Sequence, residues 1–240
     1  MTISVIVPAA GCGARAALNG NKILAPLLDE KSVLFWSLNA LRAADYACSE
    51  LIEMIVVARQ SEFEAIDEIW KQCAFSLSCR TIEGGATRQD SVFAGVEAAR
   101  GDFVLVHDAA RPCVSSEVIS RTVEAAQKTG AALAALPVSD TVKRVDSTKN
   151  VAETLNRNEI WLAQTPQVFR RDLFLDALES AKNEEFQGTD CASIMERANH
   201  KVALIDGDIN NLKVTYAADL ERAASILNAR RNHSNFRFSR

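Results

Sequence analysis

The residues best suited to chemistry fall in a few short glycine-bearing or charged stretches. Pro8-Ala9-Ala10-Gly11-Cys12-Gly13-Ala14-Arg15 presents small side chains in succession, so backbone N–H groups can approach an anion that a Cβ would hold off. Arg15 and Lys22 stand on the polar loop at and beyond these glycines, and a loop of that length folds both cations over a triphosphate. Phosphoryl transfer asks for this arrangement: charge spreads over the oxygens of the reacting phosphorus, and the protein contributes orientation and cationic stabilisation. Arginine grips phosphate oxygens through a planar fork, and lysine supplies a compact point charge. A single cation in a loop is ordinarily a solvated surface group; two flanking a glycine turn are harder to read that way.

Gly84-Gly85-Ala86-Thr87-Arg88-Gln89-Asp90-Ser91 offers flexible backbone, a helix N-terminus and polar side chains at one point, which suits a base or phosphate contact. Equally, its glycines make a tight strand-to-helix turn with Asp90 and Ser91 in the first helical turn. In His107-Asp108-Ala109-Ala110-Arg111-Pro112, Asp108 is a candidate metal or hydroxyl partner and Arg111 a phosphate or carboxylate partner, while His107 reads as a packed strand residue. Lys213, in Asn210-Asn211-Leu212-Lys213-Val214-Thr215, follows a short apolar run and precedes a helix starting near Tyr216 with Thr215 as cap; the residues alone leave it between a surface lysine and a site lysine. Gly11, Gly13 and Ala16 also match the dinucleotide-binding fingerprint. Against that reading, Gly20 and Pro26 interrupt any following helix, and the second predicted strand ends at Ala58-Arg59 without a carboxylate for a ribose 2′-hydroxyl.

Buried β-strands are predicted at Ser4 to Pro8, Ile52 to Ala58, Ser78 to Glu83, Phe103 to His107 and Ala131 to Val138. Helical patterns fall between them. Ser61 and Glu64 form a capping-box pattern ahead of Phe63, Ile66, Ile69 and Trp70, and a helix from about Ser115 ends at Gly130. Such alternation predicts an α/β fold with a mostly parallel sheet and helices on both faces. Ligands in open sheets of this kind sit beyond the carboxyl ends of the strands, which nominates Ala9 to Arg15, Gly84 to Arg88 and His107 to Arg111. The polar stretch from Ser139 to Trp161 reads as a projecting β-hairpin arm over about 139–160. An isolated hairpin is marginal unless it packs on something, and a second subunit would satisfy that need. Arg230 to Arg240 is basic and aperiodic, which predicts a disordered basic tail behind one domain spanning 1–229.

With 240 residues, 48% of them hydrophobic, the chain can bury one substantial α/β core. A net charge of -4 argues against a nucleic-acid binder, which needs a dense basic face. The first apolar run, Ile3 to Ala10, lacks a basic leader and ends in a glycine turn, so it reads as a strand; no later segment is long enough to span a bilayer. The six cysteines are scattered, with no CxxC pair, suggesting neither zinc nor disulfides and, most simply, a reducing cytoplasmic setting.

Taken together, Val7-Pro8-Ala9-Ala10-Gly11-x-Gly13-x-Arg15 with Lys22, Gly84-Gly85-x-x-Arg88-x-Asp90-Ser91-Val92, Val106-His107-Asp108-Ala109-Ala110-Arg111-Pro112, Asp140-Thr141-Val142-Lys143, Asn156-Arg157 leading into Trp161-Leu162-Ala163-Gln164-Thr165-Pro166-Gln167, Thr189-Asp190 and Asn211-Leu212-Lys213-Val214-Thr215 resemble the methylerythritol phosphate cytidylyltransferases across nearly the whole chain. Order and spacing carry the resemblance more than any single piece. It implies a Rossmann-like, glycosyltransferase-A-like nucleotidyltransferase fold and the transfer of cytidylyl from CTP to 2-C-methyl-D-erythritol 4-phosphate, with Mg2+ held mainly by the triphosphate and Asp108 as its candidate protein contact.

By motif matching, the resemblance implies that Arg15 and Lys22 stabilise the transition state, and that Ala9, Ala10, Gly11, Gly13, Gly85, Arg88, Ser91 and Ala109 line the nucleotide pocket. Asp108, Arg111, Thr141, Arg157, Thr165, Thr189 and Lys213 would hold the sugar phosphate, Arg157 and Lys213 as further catalytic cations. It also implies a homodimer interlocked by the arm, with Thr141 and Arg157 serving the neighbour's site. A sibling group using ribitol 5-phosphate shares the frame but usually opens with Ala-Gly-Gly; a catalytically silent nucleotide-binding protein is the rival from another class. The chain departs from the family pattern at Asn21-Lys22-Ile23-Leu24, where a proline commonly precedes the lysine, so looser loop closure is expected. It departs again at Ala86-Thr87, in place of an acidic residue or acid-amide pair.

Overall fold

A computed structural model of the chain describes residues 1–11, 21–47 and 49–237, with side chains described through Asn232. Its strands are β1 (Thr2–Pro8), β2 (Pro26–Leu28), β3 (Lys31–Ser32), β4 (Glu50–Ala58), β5 (Ser78–Glu83), β6 (Phe103–Val106), β7 (Ala131–Pro137), β8 (Lys143–Val145), β9 (Val151–Thr154), β10 (Trp161–Arg170) and β11 (Ala203–Asp206). The helices are α1 (Val33–Arg42), α2 (Phe63–Cys73), α3 (Arg88–Ala98), α4 (Ser116–Thr129), α5 (Arg171–Asn183), α6 (Cys191–Arg197) and α7 (Ala217–Arg237).

Seven strands form one sheet in the order β11-β7-β10-β6-β1-β4-β5. β1 pairs in parallel with β4 and β6, and β4 with β5, whereas β10 runs antiparallel to both β6 and β7. The mostly parallel sheet expected from the alternation is therefore present, with β10 as its one reversed member. The β-branched runs of β1 and β4 are buried on both sides, and their two-residue period divides them between two cores. Val5, Val7, Met54, Val56 and Leu105 face a core closed by Leu34 and Leu38 of α1, Ile66 of α2 and Ile119 of α4. Ile6, Ile55, Val57, Val104 and Val106 face the opposite core, closed by Val92 and Val96 of α3, Phe174 of α5 and Ile194 of α6. Each such fully buried side chain contributes about 1.5–3 kcal/mol of transfer free energy, which locks the strand ends that carry the site.

Ser115 caps α4 and Gly130 ends it at φ 86°, as expected from the sequence. β8 and β9 pair as an antiparallel hairpin whose seven residues are all exposed, which is the predicted arm. Three local expectations are corrected. The capping at the start of α2 does not involve Ser61 and Glu64: Gln60–Glu62 forms a 3₁₀ turn, and Glu62 reaches back to Arg59. The N–H groups of Thr215 and Tyr216 donate to the Asp219 carboxylate, both at 2.9 Å, so Asp219 does the capping ahead of α7. Finally, Arg230 does not begin an aperiodic tail. α7 continues to Arg237, and the Arg230 guanidinium donates to the Cys113 carbonyl at 2.8 Å and to Asp208 at 3.1 Å. No helix among the described residues is long and apolar enough to cross a membrane.

Candidate active site

Four neighbouring strands deliver the site. As β1 ends, the Ala9 N–H donates to Val57 O on β4 at 2.7 Å; Gly84, after β5, donates to Ala58 O at 2.9 Å; and His107, after β6, donates to Ile6 O at 3.0 Å. The three nominated loops thus leave the carboxyl edge side by side. Gly84 is required by close approach: a Cβ there would stand 2.8 Å from Ser91 Oγ and 2.9 Å from Ala10 Cβ, so only glycine lets the β1 and β5 loops meet. Thr87 caps α3, accepting from Asp90 N–H at 3.1 Å, while the Asp90 carboxylate takes the Thr87 N–H at 2.9 Å. That capping box accounts for Asp90 and leaves Arg88 and Ser91 on the open side.

The loops enclose a cavity of about 560 Å³. Of the residues singled out in the sequence, Ala9, Ala10, Gly11, Lys22, Gly85, Arg88, Ser91, Asp108, Ala109 and Lys213 line it. Pro8, Asn21, Ile23, Arg59, Ala86, Thr87 and Ala110 line it as well; Asn21 and Arg59 could not be singled out as site residues beforehand, since no neighbour in the chain marks either as a partner of the other loops. Arg15 and Gly13 lie outside the described residues.

Asp108 is the centre of charge. Its Oδ1 accepts from Arg88 Nη2 at 2.9 Å and its Oδ2 from Lys213 Nζ at 2.7 Å, with Arg111 Nε at 3.8 Å. Burial by itself would raise its pKa, but the Arg88 and Lys213 charges outweigh that effect and hold the carboxyl well below the usual carboxylate range. One carboxylate against three cations leaves two positive charges in excess, so a chain of net charge -4 focuses positive potential at this edge. Lys213 reaches the cluster because its loop is stitched to the β6 edge: Val214 N–H donates to Ala110 O at 2.8 Å. Asn211, fully buried, donates to Thr165 O at 2.8 Å, and Arg111 Nη1 donates to Asn211 O at 2.7 Å.

Arg111 and Thr165 therefore stand behind the cavity wall. The Thr165 hydroxyl accepts the Asp108 N–H at 3.0 Å and lies 3.1 Å from His107 Nδ1. His107 Nε2 is 3.0 Å from Arg111 O; a carbonyl only accepts, so Nε2 carries the proton and Nδ1 accepts from Thr165. Burial pushes the His107 pKa down to about 4, so the ring is neutral at pH 7 and braces the Asp108 backbone, consistent with a packed strand-end residue. Thr189 is exposed and does not line the cavity, and Thr141 and Arg157 are exposed on the arm; Arg157 Nη1 donates to Ser139 O at 2.8 Å. Among the described residues, no contact brings these three to Asp108.

Asp108 is the only carboxylate lining the cavity among the described residues, and no group of three or more His, Cys, Asp or Glu suited to a metal occurs among them. Magnesium usually takes one or two carboxylates with the remaining positions filled by water and substrate phosphates. Each Asp108 oxygen keeps a second lone pair beyond its ion pair, so the donor set fits a magnesium carried by a triphosphate and touched by Asp108.

Residues 3–229 match the model of the IspD family, 2-C-methyl-D-erythritol 4-phosphate cytidylyltransferase. Among similar curated proteins, the 2-C-methyl-D-erythritol 4-phosphate cytidylyltransferase of Bacillus licheniformis is 39% identical over 236 residues, covering 97% of this chain and 99% of the relative. That of Halalkalibacterium halodurans is 40% identical, covering 95% and 97%. Among solved structures, the 4-diphosphocytidyl-2C-methyl-D-erythritol synthase of Anaerococcus prevotii superposes with a TM-score of 0.81 at 30% identity, covering 94% of this chain and 96% of the other. The 2-C-methyl-D-erythritol 4-phosphate cytidylyltransferase of Thermus thermophilus gives 0.74 at 32% identity, covering 94% and 100%.

Proposed function

The chain belongs to the 2-C-methyl-D-erythritol 4-phosphate cytidylyltransferase family, and from that premise we infer that it transfers the cytidylyl group of CTP to 2-C-methyl-D-erythritol 4-phosphate in the non-mevalonate isoprenoid pathway. A phosphate oxygen of the acceptor attacks the α-phosphorus of CTP, the bond from that phosphorus to the bridging oxygen of the β-phosphate breaks, and pyrophosphate leaves. The attacking oxygen is already ionised, so no side-chain base is needed. The observation that carries the reading is the Asp108 cluster: a buried carboxylate holds Arg88 and Lys213 at fixed positions in a cavity whose other walls are glycine- and alanine-rich backbone.

The cytidine side of the cavity is assigned to Ala9, Ala10, Gly11, Gly85, Arg88, Ser91 and Ala109, where small residues admit a base and ribose against the backbone. Lys22, with Arg15, faces the triphosphate and stabilises the charge that develops in the transition state. Lys213 and Asp108 face the acceptor phosphate and its hydroxyls, with Arg111 and Thr165 holding Asp108 and the Lys213 loop in place. Bound magnesium would draw negative charge off the phosphate oxygens, and Asp108 would be the side chain to hold it. The β8–β9 arm is assigned to a homodimer: Val145 and Val151 pair across it with 56% and 62% of their surface exposed, an apolar face a second copy can cover. Through that contact Thr141 and Arg157 would reach the neighbour's acceptor site; Thr189, exposed outside the cavity, is assigned to the acceptor by its place in the family motif. A cytoplasmic setting fits the free thiols at Cys73, Cys79, Cys113 and Cys191.

Phosphorus NMR of the protein with CTP, magnesium and methylerythritol phosphate tests the assignment. Paired diphosphate-diester resonances growing with pyrophosphate are expected; an unchanged spectrum from folded protein would overturn it.

A further inference from the structure

Lys22 sits in a single 3₁₀ turn, Lys22–Leu24, whose own bonds are few: Leu24 N–H to Asn21 O at 2.9 Å and Ala25 N–H to Lys22 O at 3.3 Å. A turn this short has little stability alone, so its position is set by what holds its ends. At the far side Ile23 is buried in the core. At the near side both ends of the Asn21 amide are engaged. Its oxygen accepts from Ile23 N–H at 3.3 Å, and its nitrogen donates to Ala9 O at 3.2 Å and to Glu62 Oε1 at 2.8 Å. Glu62 is only 7% exposed, and the same Oε1 accepts from Arg59 Nη2 at 2.7 Å while Oε2 takes the Arg59 N–H at 3.4 Å. Asn21, Lys22 and Arg59 all line the cavity, so one buried carboxylate behind the wall ties together the β1 loop, the Lys22 turn and the segment leaving β4. Burying an ion pair is weak evidence for stability; fixing a geometry is what such an arrangement does well.

We propose that Glu62 and Asn21 are positioning residues for Lys22, forming a clasp that presents the lysine to the triphosphate. The clasp compensates for the looser loop expected from Asn21 in place of a proline. It rests on the role assigned to Lys22 in the proposed reaction. The backbone of Asn21, at φ -77° and ψ 118°, lies where a proline ring would hold it, which gives a rescue: proline can restrain the turn without the amide bonds.

The experiment measures kcat and KM for CTP, with melting curves to verify folding, in Lys22→Ala, Asn21→Ala, Asn21→Pro, Glu62→Gln and the Asn21→Pro/Glu62→Gln double variant. A misplacement of about 1 Å can cost about a hundredfold in rate, and partial loosening of the turn is scaled down to about tenfold. Asn21→Ala is expected to lower kcat by about tenfold while KM for CTP changes by less than about twofold, and Asn21→Pro to recover most of that loss. Glu62→Gln is expected to lower kcat when Asn21 is present and to have little further effect in the Asn21→Pro background, the coupling expected of residues that act through one another; its appearance in kcat with KM for CTP and the melting curve little changed separates positioning of Lys22 from a purely structural role. Equal losses in Asn21→Ala and Asn21→Pro, or equal effects of Glu62→Gln in both backgrounds, overturn the clasp. An inactive Lys22→Ala beside an unimpaired Asn21→Ala overturns the clasp alone; a fully active Lys22→Ala overturns the lysine's role and the clasp with it.

Discussion

Asp108→Asn keeps the shape of the side chain and removes the charge around which Arg88, Lys213 and Arg111 gather at 2.9, 2.7 and 3.8 Å. Taking one partner from a buried ion pair costs about 3–5 kcal/mol. The Lys213 and Arg88 side chains are 40% and 35% exposed, so water screens part of the unmatched positive charge and the low end, about 3 kcal/mol, applies. At roughly 2–4 °C per kcal/mol for a chain of this size, Tm falls by roughly 6–12 °C. The same change frees both cations from their fixed positions, and kcat/KM is expected to drop by at least about tenfold. A pH signature separates loss of charge from loss of packing. Because the folded protein holds the Asp108 carboxyl below its ordinary range, the unfolded chain binds that proton first as pH falls. The stabilisation is therefore complete above about pH 5 and decays on acidification below about pH 4. Calorimetry from about pH 8 to about pH 3.5 should show a constant gap between wild type and variant that narrows only at the acid end. A variant as stable as wild type at pH 7, or a gap that widens in acid, would refute the charge-centre account.

Other outcomes follow from the same geometry. With His107 held neutral and its pKa pushed down to about 4 by burial, the unfolded chain carries an extra proton between about pH 6.5 and pH 4. Wild-type stability should fall toward acid there by up to about 1.4 kcal/mol per pH unit, and His107→Gln should flatten that slope; parallel slopes in calorimetry would contradict the buried neutral ring. Lys22→Ala should lower kcat by on the order of a hundredfold, as loss of a transition-state charge contact does, with a melting curve like wild type. Mixing Lys22→Ala with Arg157→Ala should restore part of the activity through mixed dimers if Arg157 serves the neighbouring site, and no recovery after verified subunit exchange would place each complete site within one chain.

Where the chain's local chemistry decides, the sequence was readable. The β-branched runs of β1 and β4 and the capped, glycine-ended α4 lie where the periodicity put them, and the loops after β1, β5 and β6 converge as the parallel-sheet rule requires. β10 escaped because its centre, Gln164-Thr165-Pro166-Gln167, is polar yet buried; its hydrogen bonds go to residues far along the chain, such as Asp108, Asn211 and Asp190, and no local pattern announces them. The last turns of α7 read as a tail for the same reason, since the partners of Arg230 are Cys113 and Asp208. Asn21 and Glu62 are separated by 41 residues, so their pairing is a property of the fold. The arm was legible as a hairpin because its polar turn at Asp146 to Asn150 separates two short strands that pair with each other.

The central claim is tested most directly by pyrophosphate release measured with each of the four ribonucleoside triphosphates, in the presence of magnesium and either methylerythritol 4-phosphate or ribitol 5-phosphate. Rapid release with CTP and methylerythritol phosphate alone is the predicted result. Equal or greater turnover with ribitol phosphate, or no release with any pair, would contradict it.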